Sequence, residues 1–158
     1  MNCAHSVATG RAGWAVLALA LVLAGCQRRV ERTWPTGRQR SAGHVSLLTG
    51  REEGLWTYWF PDGHLREQGR YEDGVRVGRW KQWHANGAPR SEGERRFDRA
   101  RRASPRTGFW RFWYENGKLE GCGTCVDGLR EGRWEYFLEE GGLDGDRSGE
   151  YYHDELLR

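Results

Sequence analysis

The chain has 158 residues, with 25 Lys and Arg against 22 Asp and Glu, a formal net charge of +3 and only 37% hydrophobic residues. That is about one domain's worth of chain, too near neutral to demand a nucleic-acid partner and too poor in aliphatic side chains to fill a deep Leu/Ile/Val core. Its 23 glycines and nine tryptophans point instead to shallow layers filled by large rings.

In chain order, an opening stretch whose sole charged residue is Arg11 leads into the apolar run Trp14 to Leu23, and no acidic residue precedes Glu31. Such a run falls well short of the roughly 20 residues a helix needs to cross a bilayer, so the segment reads as a removable address. Next comes Leu23-Ala24-Gly25-Cys26, which resembles the lipobox of bacterial lipoproteins, where a diacylglycerol is joined to the cysteine sulfur and the chain is cut ahead of it. The resemblance implies a signal peptide over 1–25, lipid attachment at Cys26 and a mature protein held on a membrane. Two or three acyl chains, at about 0.8 kcal/mol per buried methylene, exceed what stable anchoring requires. A thioether also removes a thiol that would be a liability in an oxidising compartment. The alternative is an ordinary signal peptide that ends near a cysteine. Gln27, where an inner-membrane protein of a diderm bacterium would carry Asp, implies by the same resemblance an outer-membrane location facing the periplasm, with exposure on the cell surface left open.

Residues 26–53 read as a tether with a degraded repeat copy, since Trp34, Gly37 and Gly43 keep repeat-like spacings. From Gly54 the repeat is plain: Gly54-Leu-Trp56-Thr-Tyr-Trp59-Phe-Pro-Asp62-Gly63 recurs 24 residues later as Gly78-Arg-Trp80-Lys-Gln-Trp83-His-Ala-Asn86-Gly87. A third copy starts at Gly108 with Trp110, Trp113 and Asn116-Gly117, and a fourth at Gly132 with Trp134 and Phe137. The repeat domain spans 54–154, broken by an Arg-rich insertion at 98–107, and 155–158 form a tail. These residues resemble the bacterial variant of the MORN repeat, built on Gly-x-Trp-x-x-Trp/Tyr-x-x-Asn-Gly, then Glu-Gly and Tyr-x-x-Gly. Arg95 and Cys125 depart from that pattern where the first copy has Tyr71. The family implies an extended row of hairpins and no catalytic residues.

The residues alone also specify hairpins. Asp62-Gly63, Asn86-Gly87 and Asn116-Gly117 predict two-residue type I′ turns, whose central positions both need positive φ. One hairpin is marginal in water, so the copies are expected to pair into an all-β, extended, twisted antiparallel sheet. Strand parity places Trp56, Tyr58 and Phe60 on one face and Trp59 with Thr57 on the other; Trp83 and Trp113 follow Trp59. Two readings stay open: Trp59, Trp83 and Trp113 form an exposed binding stripe, or a bulge between the two tryptophan slots returns all of them to the core.

Cys122 and Cys125 form a Cys-x-x-Cys pair, read as a local disulfide if the chain bends at Gly123, or as separate thiols or an intermolecular bridge. With Cys3 in the removed segment and Cys26 acylated, no second cysteine pair is left to complete a zinc site, so no metal is expected. Arg99, Arg101, Arg102 and Arg106 in the insertion are candidates for contact with phospholipid headgroups or an acidic partner, set against a plain solvated loop. His44, His64, His84 and His153 show no ligand spacing, and neither a catalytic triad nor a phosphate loop emerges. The expected function is a membrane-anchored, non-catalytic protein-interaction or structural module, without cofactor. The alternatives are a cell-envelope glycan or peptidoglycan binder and, by family resemblance alone, an immunity or antitoxin-like protein.

Overall fold

The structure, a computed structural model, describes residues 26–157, so the signal-peptide reading of 1–25 lies outside the described residues. All regular elements among them are strands: β1 Gln27–Thr33, β2 Gln39–Ser46, β3 Glu52–Trp59, β4 Leu65–Glu72, β5 Val75–Trp83, β6 Pro89–Arg95, β7 Arg106–Trp113, β8 Leu119–Val126, β9 Leu129–Tyr136, β10 Gly149–Tyr152 and β11 Glu155–Leu157. They form one sheet in strict chain order, each strand antiparallel to its neighbours. The stretch 26–53 supplies β1 and β2, and the tail supplies β11.

The sheet therefore has two ends. One carries the turns at 34–37, 60–63, 84–87, 114–117 and 138–141; the other carries Cys26, the turn at 46–51, Asp73-Gly74, the loop 96–105, Asp127-Gly128 and His153-Asp154. The Asn-Gly turns are not type I′. Only the glycine of each pair has positive φ, as at Gly63 (98°), Gly87 (84°) and Gly117 (81°). The N–H of Gly63 bonds to Phe60 O (3.0 Å), while the N–H of Phe60 bonds to His64 O (2.8 Å), which closes a three-residue loop ending in a left-handed glycine. Asp62, Asn86 and Asn116 instead accept the N–H two residues on through Oδ1, each at 2.9 Å. Both central residues take positive φ at the opposite end, in Asp73-Gly74 and Asp127-Gly128.

Each Trp-bearing strand is bulged against the strand before it. Between the pairs Gln68↔Lys81 and Arg70↔Val77, the single residue Gly69 faces Gly78, Arg79 and Trp80. Gly78 has a φ of 63°, and this bulge slides the Trp80 indole flat across Gly69, where a β-carbon would come within 3.0 Å of the ring. The same stacking pairs Gly43 with Trp56, Gly93 with Trp110 and Gly123 with Trp134. Each copy thus buries its ring on its predecessor, and these four indoles are at most 2% exposed. Deleting residues 108–131 brings Trp134 over Gly93 and is expected to leave a protein that still melts cooperatively. Deleting 108–118 reverses the direction of every later strand and is expected to abolish the transition, as circular dichroism melts would show. Equal damage from both deletions would contradict a modular array.

Candidate functional site

Trp56, Tyr58, Tyr71, Trp80, Trp110, Phe112, Trp134, Tyr136 and Tyr151 share one face, the ring face. Neighbouring centroids lie 5.2 to 6.5 Å apart, in one series from Trp56 to Trp80 and another from Trp110 to Tyr151. Guanidiniums lie over this face: Arg76 4.2 Å from the Trp80 centroid, Arg106 4.8 Å from Trp110, Arg130 4.2 Å from Tyr151 and Arg147 4.8 Å from Tyr136. Each such contact contributes about 0.5 to 2 kcal/mol, depending on how far water is excluded.

The ring series breaks between Trp80 and Trp110 because the second copy has Gln82 where the others have Tyr58 and Phe112, and Arg95 where the first has Tyr71. A polar network fills the gap. Glu67, only 7% exposed, accepts from Arg66 (3.2 Å), Arg76 (3.1 Å) and Gln82 (3.3 Å), and Ser91 Oγ donates to Gln82 Oε1 (2.8 Å). Arg95 donates to Ser104 O (2.6 Å), and burial together with the Arg76 and Arg106 charges pushes its guanidinium below the usual arginine range. Burial, reinforced by the bond to the Tyr71 hydroxyl, pushes the Tyr58 phenol well above its ordinary value. Here too Trp80 differs from its equivalents. Trp56, Trp110 and Trp134 donate Nε1–H to His44 O, Glu94 O and Thr124 O (3.0, 3.1 and 2.9 Å), whereas Trp80 Nε1 is buried without an acceptor among the described residues.

The second tryptophan slot lies on the opposite face. Trp59, Trp83 and Trp113 are half-buried, neither returned to the ring face nor fully exposed. The register shift between the two slots is absorbed on the partner strand, at Arg66 in the first copy, so β3 itself keeps alternating. Trp83 and Trp113 border a hollow of about 170 Å³ with Lys81, Pro89 and Glu92. Glu92 at its rim pairs with Arg79 and Arg111, which lie outside this hollow, at 2.9 and 3.2 Å.

The insertion arginines do not act as one group. Arg99 pairs with Glu72 (3.1 Å), Arg101 with Asp98 (3.5 Å) and Arg102 with Asp73 (3.2 Å), while Arg106 leaves the loop to cover Trp110 and Phe112 on the ring face. Cys122 and Cys125 are unbonded thiols on opposite faces of β8, because the strand runs straight through Gly123. That corrects the reading of a local disulfide: residues three apart in a regular strand point away from each other. Burial pushes both thiols above their ordinary range, which lowers their reactivity. Among the described residues no group of three or more His, Cys, Asp and Glu side chains is placed to hold a metal ion. Sequence reasoning missed the arginine caps and the glycines beneath the rings; the fixed interval from each Glu-Gly glycine to the next Gly-x-Trp was the signal for the latter.

Comparison with known proteins agrees with the repeat register. No curated protein matches the chain. Among solved structures, one chain of a GtfA/B complex bound to UDP and GlcNAc is 15% identical at a TM-score of 0.25, and the match covers 71% of this chain and 20% of that one. The MORN repeat variant matches residues 52–73, 76–95 and 106–124, which are the hairpins β3–β4, β5–β6 and β7–β8. Three hairpins of this sheet thus carry the MORN repeat variant, and the strands on either side continue the same antiparallel array.

Proposed function

We propose that this chain is a non-catalytic interaction module of a bacterial cell envelope, tethered by lipid on Cys26 and offering its ring face to a protein partner. The observation that carries the binding role is the absence of a second layer among the described residues: eleven strands form one open sheet, and guanidiniums, not another sheet, lie over the rings. Arginine and aromatic side chains are the groups that most often dominate interface energy, and the excess of arginine over acid on this face suits an acidic partner. Support for the tether is the lipobox and the position of Cys26, whose carbonyl accepts the Leu47 N–H (2.9 Å) immediately before β1. The first strand follows the anchor directly.

Mass spectrometry of the mature N-terminus tests the anchor. We expect an acylated Cys26 in the wild type, and loss of both acylation and membrane retention in Cys26→Ala. An unmodified Cys26, or cleavage elsewhere, sinks this part. Co-purification from the same detergent-solubilised membranes tests the face: a partner held by the wild type is expected to be lost from Arg95→Ala/Arg106→Ala, and an identical set of partners from both would contradict the assignment.

One observation favours a second reading, a cell-envelope glycan ligand. The hollow between Trp83 and Trp113 is lined by two half-buried indoles and the charged Lys81 and Glu92. At about 170 Å³ it is smaller than the roughly 300 to 1,000 Å³ of an ordinary ligand pocket, room for a single ring.

A further inference from the structure

We propose that the end of the sheet carrying Cys26 is a membrane-facing edge, at which Leu47 and Leu48 enter the bilayer beside the acyl chains. The inference rests on the lipid-anchor reading of Cys26 and adds a second, non-covalent attachment that fixes how the sheet stands.

Leu47 and Leu48 are consecutive and 60% and 71% exposed, in the turn between β2 and β3. Single exposed leucines are ordinary, but two in succession at a turn tip expose apolar surface with nothing to cover it. The turn is built to hold them outward. Ser46 Oγ accepts the N–H groups of Leu48 and Thr49, both at 3.3 Å, and the N–H of Gly50 bonds to Ser46 O at 2.8 Å with a φ of 69°. The side chains are therefore presented on a closed loop.

Position selects the occupant. The Leu47 N–H donates to Cys26 O (2.9 Å), so the leucines sit next to the residue that would carry the lipid. Acyl chains on Cys26 bring the bilayer surface to this turn, and two leucines at such an interface bury in the acyl boundary as the apolar face of an interfacial helix does.

The edge continues beyond the turn. Arg51, from the same turn, bonds to Asp73 (2.6 Å), which also receives Arg102 from the insertion loop (3.2 Å), so the 46–51 turn, the Asp73-Gly74 turn and the 96–105 loop form one surface. Arg99 and Arg101 on that loop have side chains 81% and 76% exposed, each paired with an acid. Charge on the edge is nearly balanced, so attraction to the bilayer is chiefly apolar, and the guanidiniums lie at headgroup level. With this end down, the sheet stands edge-on, its 84–87 and 114–117 turns point away from the membrane and both faces stay free.

The test uses the full chain, purified from membranes and reconstituted in vesicles of phosphatidylethanolamine and phosphatidylglycerol, with an environment-sensitive fluorophore on Leu48→Cys, on Thr49→Cys or, at the far end of the sheet, on Asn116→Cys. All three are made in a Cys122→Ser/Cys125→Ala background, and the acylation state of Cys26 is read by mass in the same preparations. With Cys26 acylated, we expect blue-shifted emission at positions 48 and 49 and iodide quenching about threefold or more weaker than at 116. Equal quenching at the three positions in acylated protein overturns the insertion and leaves the anchor standing. Unmodified Cys26 overturns the anchor reading, and this proposal with it.

Discussion

Alanine in place of Trp56, Trp80 or Trp110 is expected to cost about 3 to 5 kcal/mol of folding stability, because each indole is at most 2% exposed and the described residues hold no second layer to collapse into the cavity. Alanine at the half-buried Trp59, Trp83 or Trp113 is expected to cost less, about 1 to 2 kcal/mol. Phenylalanine separates the first set further. Trp56→Phe loses the bond to His44 O and Trp110→Phe the bonds to Glu94 O and Thr107 O, whereas Trp80→Phe removes a buried N–H that has no acceptor among the described residues, a group that costs about 1 to 3 kcal/mol to leave unpaired. Trp80→Phe is therefore expected to be the mildest of the three. Chemical-denaturation midpoints on all nine variants provide the measurement. Equal losses in the two alanine sets would show that both slots are core, and a Trp80→Phe loss matching the other two would show that the indole N–H is satisfied in solution.

Strand parity divides the tryptophans between faces, and the division holds because no bulge lies within β3 between Trp56 and Trp59; in the sequence the bulge that would return Trp59 to the core stayed open, because glycine-rich repeats make bulges common. The bulge that matters lies earlier, at Gly54, Gly78 and Gly108, and a glycine ahead of a tryptophan gives no local sign of it. Its role depends on the strand before, where Gly43, Gly69 and Gly93 make room for the ring. Turn type failed for a related reason. Asn-Gly suits both a two-residue type I′ loop and a three-residue loop ending in a left-handed glycine, and the choice is fixed by whether residue 60 pairs with residue 64, a matter of register.

Charge at the candidate sites was harder still to read. The insertion is visibly rich in arginine, yet Glu72, Asp73 and Asp98 are brought to it by pairing across strands, and its composition alone does not reveal them. Conversely, Arg76, Arg95, Arg106 and Arg130 are spread over more than two repeats and look unrelated in the sequence, although the ladder places all four on one aromatic face. Asn86 and Asn116 show the same effect in miniature. Their Nδ2 groups donate to Glu115 O (2.7 Å) and Glu139 O (3.1 Å) in the next turn along, so a residue chosen for its own turn also ties that turn to its neighbour.

Gly93→Ala is expected to cost about 3 kcal/mol or more by itself, and less than about 1 kcal/mol in a Trp110→Ala background. The new β-carbon would come within 3.0 Å of Trp110 Cδ2, Cε2 and Cγ, atoms at the centre of a rigid ring that cannot swing away as the end of a flexible chain could. Trp110 is held by bonds from Nε1–H to Glu94 O and Thr107 O, and Arg95 and Arg106 lie over it. Relief must therefore come from separating β6 from β7, which breaks ladder hydrogen bonds. Removing the indole removes the clash, and the methyl group is then nearly neutral in an extended strand. Thermal or urea unfolding of the two single variants, the double variant and the wild type gives the coupling energy, expected at about 2 kcal/mol or more. Strict additivity would mean that Gly93 is needed for backbone freedom and not for contact with the ring, and the stacking of each tryptophan on the preceding strand's glycine would lose its place as the device that joins one repeat to the next.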